Sequence, residues 1–287
     1  MRLRCAVLGD PIGHSLSPTL HRAGYAALGV DGAYEAFRVP EGALSGFLAG
    51  LDDSWRGLSL TMPLKREALG LASVSEVTDL ARLVGGANTL LLRPEGHLAD
   101  NTDVPGAVRA LVERVPAYAQ RPPETATIWG GGATTASMIV ALHQLGCREV
   151  CIQVRDRERA AETVAVAERL EPALELSVGL LGEAVDTDLL ISTIPAQPQE
   201  SLVDEVRRAE AVFEVIYHPW PTPLVRWAAD RPVVGGLDLL VHQATLQFGA
   251  FTGFDVGDDQ LRTRLVGAMR AAGERVLHDR VANGQGG

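Results

Sequence analysis

The chain has 287 residues, enough for two domains, with 46% hydrophobic and 22% charged residues, an ordinary globular composition. The formal net charge of −10 argues against nucleic acid as a main partner, and no apolar run reaches the length of a membrane span. Three cysteines, Cys5, Cys147 and Cys151, lack zinc-finger spacing and read as buried free thiols of a reducing cytoplasm.

Residues 3–8 (LRCAVL) read as a first strand. The run breaks at Gly9-Asp10-Pro11, too early for a secretory signal. Ser17 as N-cap with Pro18 in the first turn predicts a helix over 18–28. A strand over 33–39, a helix over 41–51 and a strand over 57–61 follow, and Lys65 opens a helix in KREALGLA. Residues 87–93 and 97–100 read as strands joined by a turn at Pro94-Glu95-Gly96. A helix over about 105–115 leads into TATIWGGGATTASMIVALHQLGCREVCIQV, which reads as strand, glycine loop, long helix and strand. DLLIS (188–192) and AVFEVI (211–216) are further strands, and the chain is helical from about Leu239. The alternation predicts an α/β protein with mostly parallel sheets, its second half the βαβ arrangement of a dinucleotide-binding domain.

The loop Gly130-Gly131-Gly132 stands between a strand and a helix. Glycine lets a backbone approach a pyrophosphate, and a helix N-terminus favours its charge. The plain alternative is a tight turn. After the next strand comes Arg155-Asp156-Arg157 and then Arg159. An Arg there suits the 2′-phosphate of NADP, while a carboxylate keeps NAD open. Ser15 and Ser17 precede a helix, where two hydroxyls suit a small carboxylate; simple capping by Ser17 needs no ligand. Asn occurs at 88, 101 and 283, twice in Asn-Thr pairs that Asx turns would also explain. Among 26 basic residues Lys65 is the one lysine. A coding bias towards Arg explains that blandly. Chemically, Lys can transfer a proton where Arg cannot. No His, Cys and Asp cluster offers a metal site.

The stretches GDPIGHSLSP, SLTMPLK, GGANTL, DNTD, WGGGAT, VRDRER, STIPA, YHPWPTPL and GLDLLVHQA run through nearly the whole chain, and with them the sequence resembles the shikimate dehydrogenase family. The resemblance implies an N-terminal α/β substrate domain of residues 1–103, completed by C-terminal helices at 239–287, and a Rossmann-type NADP domain at 104–238. It implies reversible reduction of 3-dehydroshikimate to shikimate, a step of aromatic amino acid and chorismate biosynthesis. Lys65 and Asp103 would be the catalytic pair. Ser15, Ser17 and Tyr217 would hold the carboxylate, and Thr61, Asn88 and Gln243 would surround the ring hydroxyls. Gly130, Gly131, Gly132, Ala133 and Thr134 would cradle the pyrophosphate. Arg155 and Arg159 would face the 2′-phosphate, and Ile194 and Gly236 the nicotinamide. The chain departs from the family pattern at Ser59, where Asn is frequent, at Val104, in the glycine loop and at Val154-Arg155-Asp156. Rival readings are a quinate dehydrogenase using NAD and a ligand sensor on the same fold. The expected partner is a small molecule rather than nucleic acid or membrane, with the protein cytoplasmic and a monomer or homodimer.

Overall fold

The computed structural model describes residues 2–282, apart from the side chain of Arg159. The chain forms two compact units. One joins Met1–Thr102 to Leu240–Arg275, and the other joins Asp103–Leu239 to Val276–Gly287.

The first unit contains β1 (Leu3–Gly9), α1 (Ser17–Leu28), β2 (Gly32–Arg38), α2 (Leu44–Ala49), β3 (Trp55–Leu60), α3 (Leu64–Glu67), β4 (Val74–Val77), α4 (Asp79–Val84), β5 (Thr89–Leu91) and β6 (His97–Asp100). β1 is an unbroken apolar run buried from Cys5 to Gly9, the mark of a strand covered on both faces. The sheet order is β2-β1-β3-β5-β6-β4. This sheet is mostly parallel, with one reversed strand. β5 runs antiparallel to β3 and to β6, while the β1–β2, β1–β3 and β4–β6 pairs are parallel. The reversal has a consequence for the site. It returns the chain at Asn88 to the end of β3, so that the Leu60 amide donates to the Asn88 carbonyl at 2.7 Å. One face of the sheet packs around Leu8, Leu44, Trp55, Leu58, Leu64 and Leu90.

Three local expectations change. Ser17 does not cap α1: it is the helix's first residue, and its amide donates to the Ser15 hydroxyl at 3.3 Å. The helix opened by Lys65 is one short turn, continued by a 3-10 turn at Ala68–Gly70. Cys5 and Cys147 are buried free thiols, but Cys151 is only half-buried.

The second unit contains α5 (Asp103–Arg114), β7 (Thr125–Trp129), α6 (Ala133–Leu145), β8 (Glu149–Val154), α7 (Ala161–Ala167), β9 (Glu175–Leu180), β10 (Val185–Ser192), α8 (Gln199–Leu202), β11 (Val206–Glu214), α9 (Pro223–Trp227) and β12 (Val233–Gly235). All its strand pairs are parallel, in the order β12-β11-β10-β7-β8-β9. That is the doubly wound dinucleotide-binding order, with its switch point between β7 and β10. α6 is buried continuously from Thr135 to Leu142, as an inner helix must be.

α10 (Gly236–Thr252) and α11 (Asp259–Ala282) follow. Within the first unit, Phe251 lies against Gly57 of β3, and Phe248, Leu265 and Met269 lie against Gly24 of α1. Among the described residues no helix is long and apolar enough to cross a membrane.

Candidate active site

In the first unit, several motif residues meet where β1, β3 and β5 end or begin. The loop after β1 is tied to the loop after β3, since the Asp10 amide donates to Met62 O at 2.9 Å and the Thr61 amide to Leu8 O at 2.9 Å. The Thr61 carbonyl then starts α3 by accepting from Leu64 N at 2.8 Å. Lys65 is half-buried on that short helix. Its carbonyl accepts from the Ala87 amide at 2.7 Å, which fixes the lysine beside the Gly-Gly-Ala-Asn run. Ser15 is half-buried and Ser17 buried at the start of α1.

The Asn88 and Asn101 side chains make long-range bonds. Asn101 donates to Gly86 O at 2.8 Å. The Asn88 oxygen accepts from the Thr102 amide at 2.8 Å and from the Thr89 hydroxyl at 2.8 Å. Its nitrogen donates to Gln243 Oε1 at 3.3 Å. The Asn-Thr pairs thus serve long-range bonds between strand ends and α10, and Asn88 and Gln243 form one buried amide pair. Ser59 lies behind them, 4% exposed, in contact with the Tyr34 hydroxyl at 2.5 Å and with Gln247 Oε1 at 2.7 Å. Its hydroxyl is therefore satisfied inside the core. Tyr34 stacks on His21 with ring centroids 4.0 Å apart. Burial lowers the His21 pKa to about 3, so the imidazole is neutral at ordinary pH.

In the second unit, the glycine loop lies at the switch point. Gly130 has φ +112°, and a Cβ there would stand 2.3 Å from Thr193 Oγ1. Only glycine suits both the angle and the approach. Thr193 follows β10; its hydroxyl donates to Trp129 O at 2.9 Å and meets the Thr135 hydroxyl at 3.0 Å. Gly131 O accepts from Thr163 Oγ1 at 2.9 Å. A Cβ on Gly132 would meet nothing within 4 Å, and α6 begins with no side-chain cap. Open space before uncapped helical amides, from Gly132 through Ala133 and Thr134, is what a pyrophosphate needs. The residues present fit a dinucleotide.

Arg155 is exposed directly after β8. The Asp156 carboxylate is exposed, and its Oδ1 accepts from Glu158 N at 3.0 Å, capping the next turn. Arg157 reaches Glu183 at 3.8 Å. The Arg159 side chain lies outside the described residues. Ile194 is half-buried after β10, and Gly236 is buried at the start of α10. A Cβ on Gly236 would stand 2.1 Å from Val215 O, so the chain after β11 passes against it. Tyr217 is half-buried in that same stretch, and Asp103 is buried at the start of α5, directly after Thr102.

Glu214, at the end of β11, was not singled out in the sequence. It is fully buried, and it accepts from Gln199 Nε2 at 2.8 Å, Thr222 Oγ1 at 2.9 Å and Ile216 N at 3.2 Å. Burial pushes its pKa up to about 7, against these donors. Gln199 also donates to Ile194 O at 3.4 Å, so this carboxyl joins the segments after β10 and β11. The signal was present: a lone acid in the apolar run AVFEVI. Among the described residues no cluster of His, Cys, Asp and Glu could hold a metal ion.

The family model for the shikimate dehydrogenase substrate binding domain matches residues 7–90. A shikimate dehydrogenase (NADP(+)) of Methylobacterium radiotolerans is 35% identical over 263 residues, covering 87% of this chain and 91% of the relative. The chain belongs to the shikimate dehydrogenase family. Among solved structures, Mycobacterium tuberculosis shikimate dehydrogenase aligns with a TM-score of 0.82 at 34% identity, over 94% of this chain and 99% of that one. The Thermus thermophilus shikimate 5-dehydrogenase, solved with NADP(H) and shikimate, aligns with a TM-score of 0.78 at 30% identity, over 95% of this chain and 99% of that one.

Proposed function

We propose that this protein is an NADP-dependent shikimate dehydrogenase, reversibly reducing 3-dehydroshikimate to shikimate for aromatic amino acid biosynthesis in the cytoplasm. The observation that carries this reading is the placement of Lys65. The chain's one lysine is anchored through its carbonyl to Ala87, next to the buried amide pair of Asn88 and Gln243.

The first compact unit is assigned most of the substrate contacts and the second the cofactor. When bound, NADPH supplies the hydride to the substrate carbonyl carbon. Lys65 Nζ holds the proton that the developing alkoxide takes, and accepts it back in the oxidative direction. The Asp103 carboxylate orients that ammonium. Asn88, Gln243 and Thr61 bind ring hydroxyls. Ser15 and Ser17, with Tyr217, hold the substrate carboxylate. Gly130, Gly131, Gly132, Ala133 and Thr134 hold the pyrophosphate, Arg155 and Arg159 the 2′-phosphate, and Ile194 and Gly236 border the nicotinamide. Arg155, exposed directly after β8, favours NADP over NAD.

The test is steady-state turnover of shikimate with NADP by the wild type, Lys65→Ala and Lys65→Arg. The expected result is a turnover loss of roughly a hundredfold or more in both variants with shikimate KM little changed. An active Lys65→Arg enzyme would remove proton transfer from Lys65, because guanidinium holds its proton at any ordinary pH.

A further inference from the structure

The buried polar chain behind Asn88 has a sense that two backbone groups determine. The Thr102 amide can only donate, and it meets the Asn88 side chain at 2.8 Å. The atom it meets is therefore the Asn88 oxygen. The Asn88 backbone carbonyl can only accept, and it takes Gln247 Nε2 at 3.0 Å. The Gln247 amide is therefore set with its nitrogen towards Asn88 and its oxygen towards Ser59. The rest follows by donor accounting. Ser59 must donate to Gln247 Oε1 at 2.7 Å, so the Tyr34 hydroxyl donates to Ser59 at 2.5 Å. Gln247 Nε2 also donates to Thr89 Oγ1 at 2.9 Å, and the Thr89 hydroxyl donates to Asn88 Oδ1 at 2.8 Å. The sequence of donation runs Tyr34, Ser59, Gln247, Thr89, Asn88. All five residues are buried, and a buried donor or acceptor left without a partner is costly, so reversal at any link is disfavoured.

We propose that Tyr34, Ser59, Gln247 and Thr89 are positioning residues: they lock the Asn88 amide with its oxygen inward and its NH2 group outward, towards Gln243. Asn88 Nδ2 donates to Thr102 Oγ1 at 3.0 Å and to Gln243 Oε1 at 3.3 Å, and Gln243, with its nitrogen donating to Leu240 O at 3.0 Å, is held in one orientation as well. The proposal rests on the roles assigned above to Asn88 and Gln243, and it adds the residues that set their polarity.

Thr89→Val removes the hydroxyl at nearly constant shape, and Thr89→Ser restores it. Two readouts separate positioning from general damage. The first needs no substrate: hydrogen exchange of the Asn88 side-chain amide, followed by NMR on the ligand-free protein. The second is the KM for shikimate set against the KM for NADP. Thr89→Val is expected to speed amide exchange and raise shikimate KM, each by roughly tenfold, with NADP KM within about twofold. Thr89→Ser is expected to behave like wild type in both. Wild-type values in Thr89→Val, equal movement of both KM values, or failure of Thr89→Ser to rescue would overturn the proposal. If Thr89→Val does not fold, Gln247→Met is read by the same criteria. A wild type that does not turn over shikimate, with the exchange pattern intact across the Thr89 pair, ends the assigned activity and leaves the positioning chain standing.

Discussion

Glu214 shows how one residue can carry a pH signature. Its folded pKa, about 7, lies above the ordinary 4.5 because burial penalises the carboxylate more than three donors reward it. The folded protein therefore holds a proton that the unfolded chain releases. Stability from this group is full below the unfolded pKa and is lost as pH rises through the interval to about 7. At about 1.4 kcal/mol per unit, the loss is of the order of 3 kcal/mol. Chemical denaturation of wild type and Glu214→Gln at pH 5 and pH 8 reads it directly. Wild type is expected to lose stability relative to Glu214→Gln over that range, and parallel behaviour of the two would refute the assignment. Arg155 gives a second prediction at this scale. Its exposed fork after β8 is assigned to the 2′-phosphate, so Arg155→Ala should raise NADP KM roughly tenfold and leave NAD KM nearly unchanged. Equal effects on the two cofactors would take the phosphate contact away from Arg155.

The element assigned to the cofactor is the turn from β7 into α6. Gly130→Ala places a methyl group at φ +112° against Thr193 Oγ1. It should raise NADP KM by more than about tenfold while shikimate binding, measured without cofactor by calorimetry, stays within about twofold. This turn was readable from sequence because its signals are local: the apolar run TATIW, three glycines and an apolar helix. The same holds for β1, α1 and the strands 188–192 and 211–216. Other elements announce themselves poorly. β4 and β9 are edge strands with much exposed surface and a weak apolar pattern, and β12 has three residues. The antiparallel course of β5 depends on pairings with β3 and β6 that no local pattern encodes. The site divides along the same line. Lys65, Asn88 and the glycine loop stand in short polar or glycine-rich runs at strand ends, where a resemblance is visible. Tyr34, Thr89 and Gln247 sit inside apolar-patterned strands and a helix, and their bonds to Ser59 and Asn88 exist only once the sheet and α10 have assembled.

At the scale of the whole molecule, most of the substrate assignments fall in the first compact unit and the cofactor assignments in the second, which also holds Asp103 and Tyr217. The amide pair of Asn88 and Gln243 belongs to the first and the glycine cradle to the second. Each ligand alone should therefore stabilise the protein. At a concentration of about one hundred times its Kd, a ligand adds about 2.7 kcal/mol, a shift of several degrees in thermal unfolding. Shikimate that stabilises only in the presence of NADP would contradict an independently formed substrate unit. Initial rates of nicotinamide reduction decide the assigned activity, measured with shikimate and with quinate, each with NADP and with NAD. The account predicts that shikimate with NADP dominates the four. A dominant rate with quinate or with NAD, or no turnover in any combination, would contradict it.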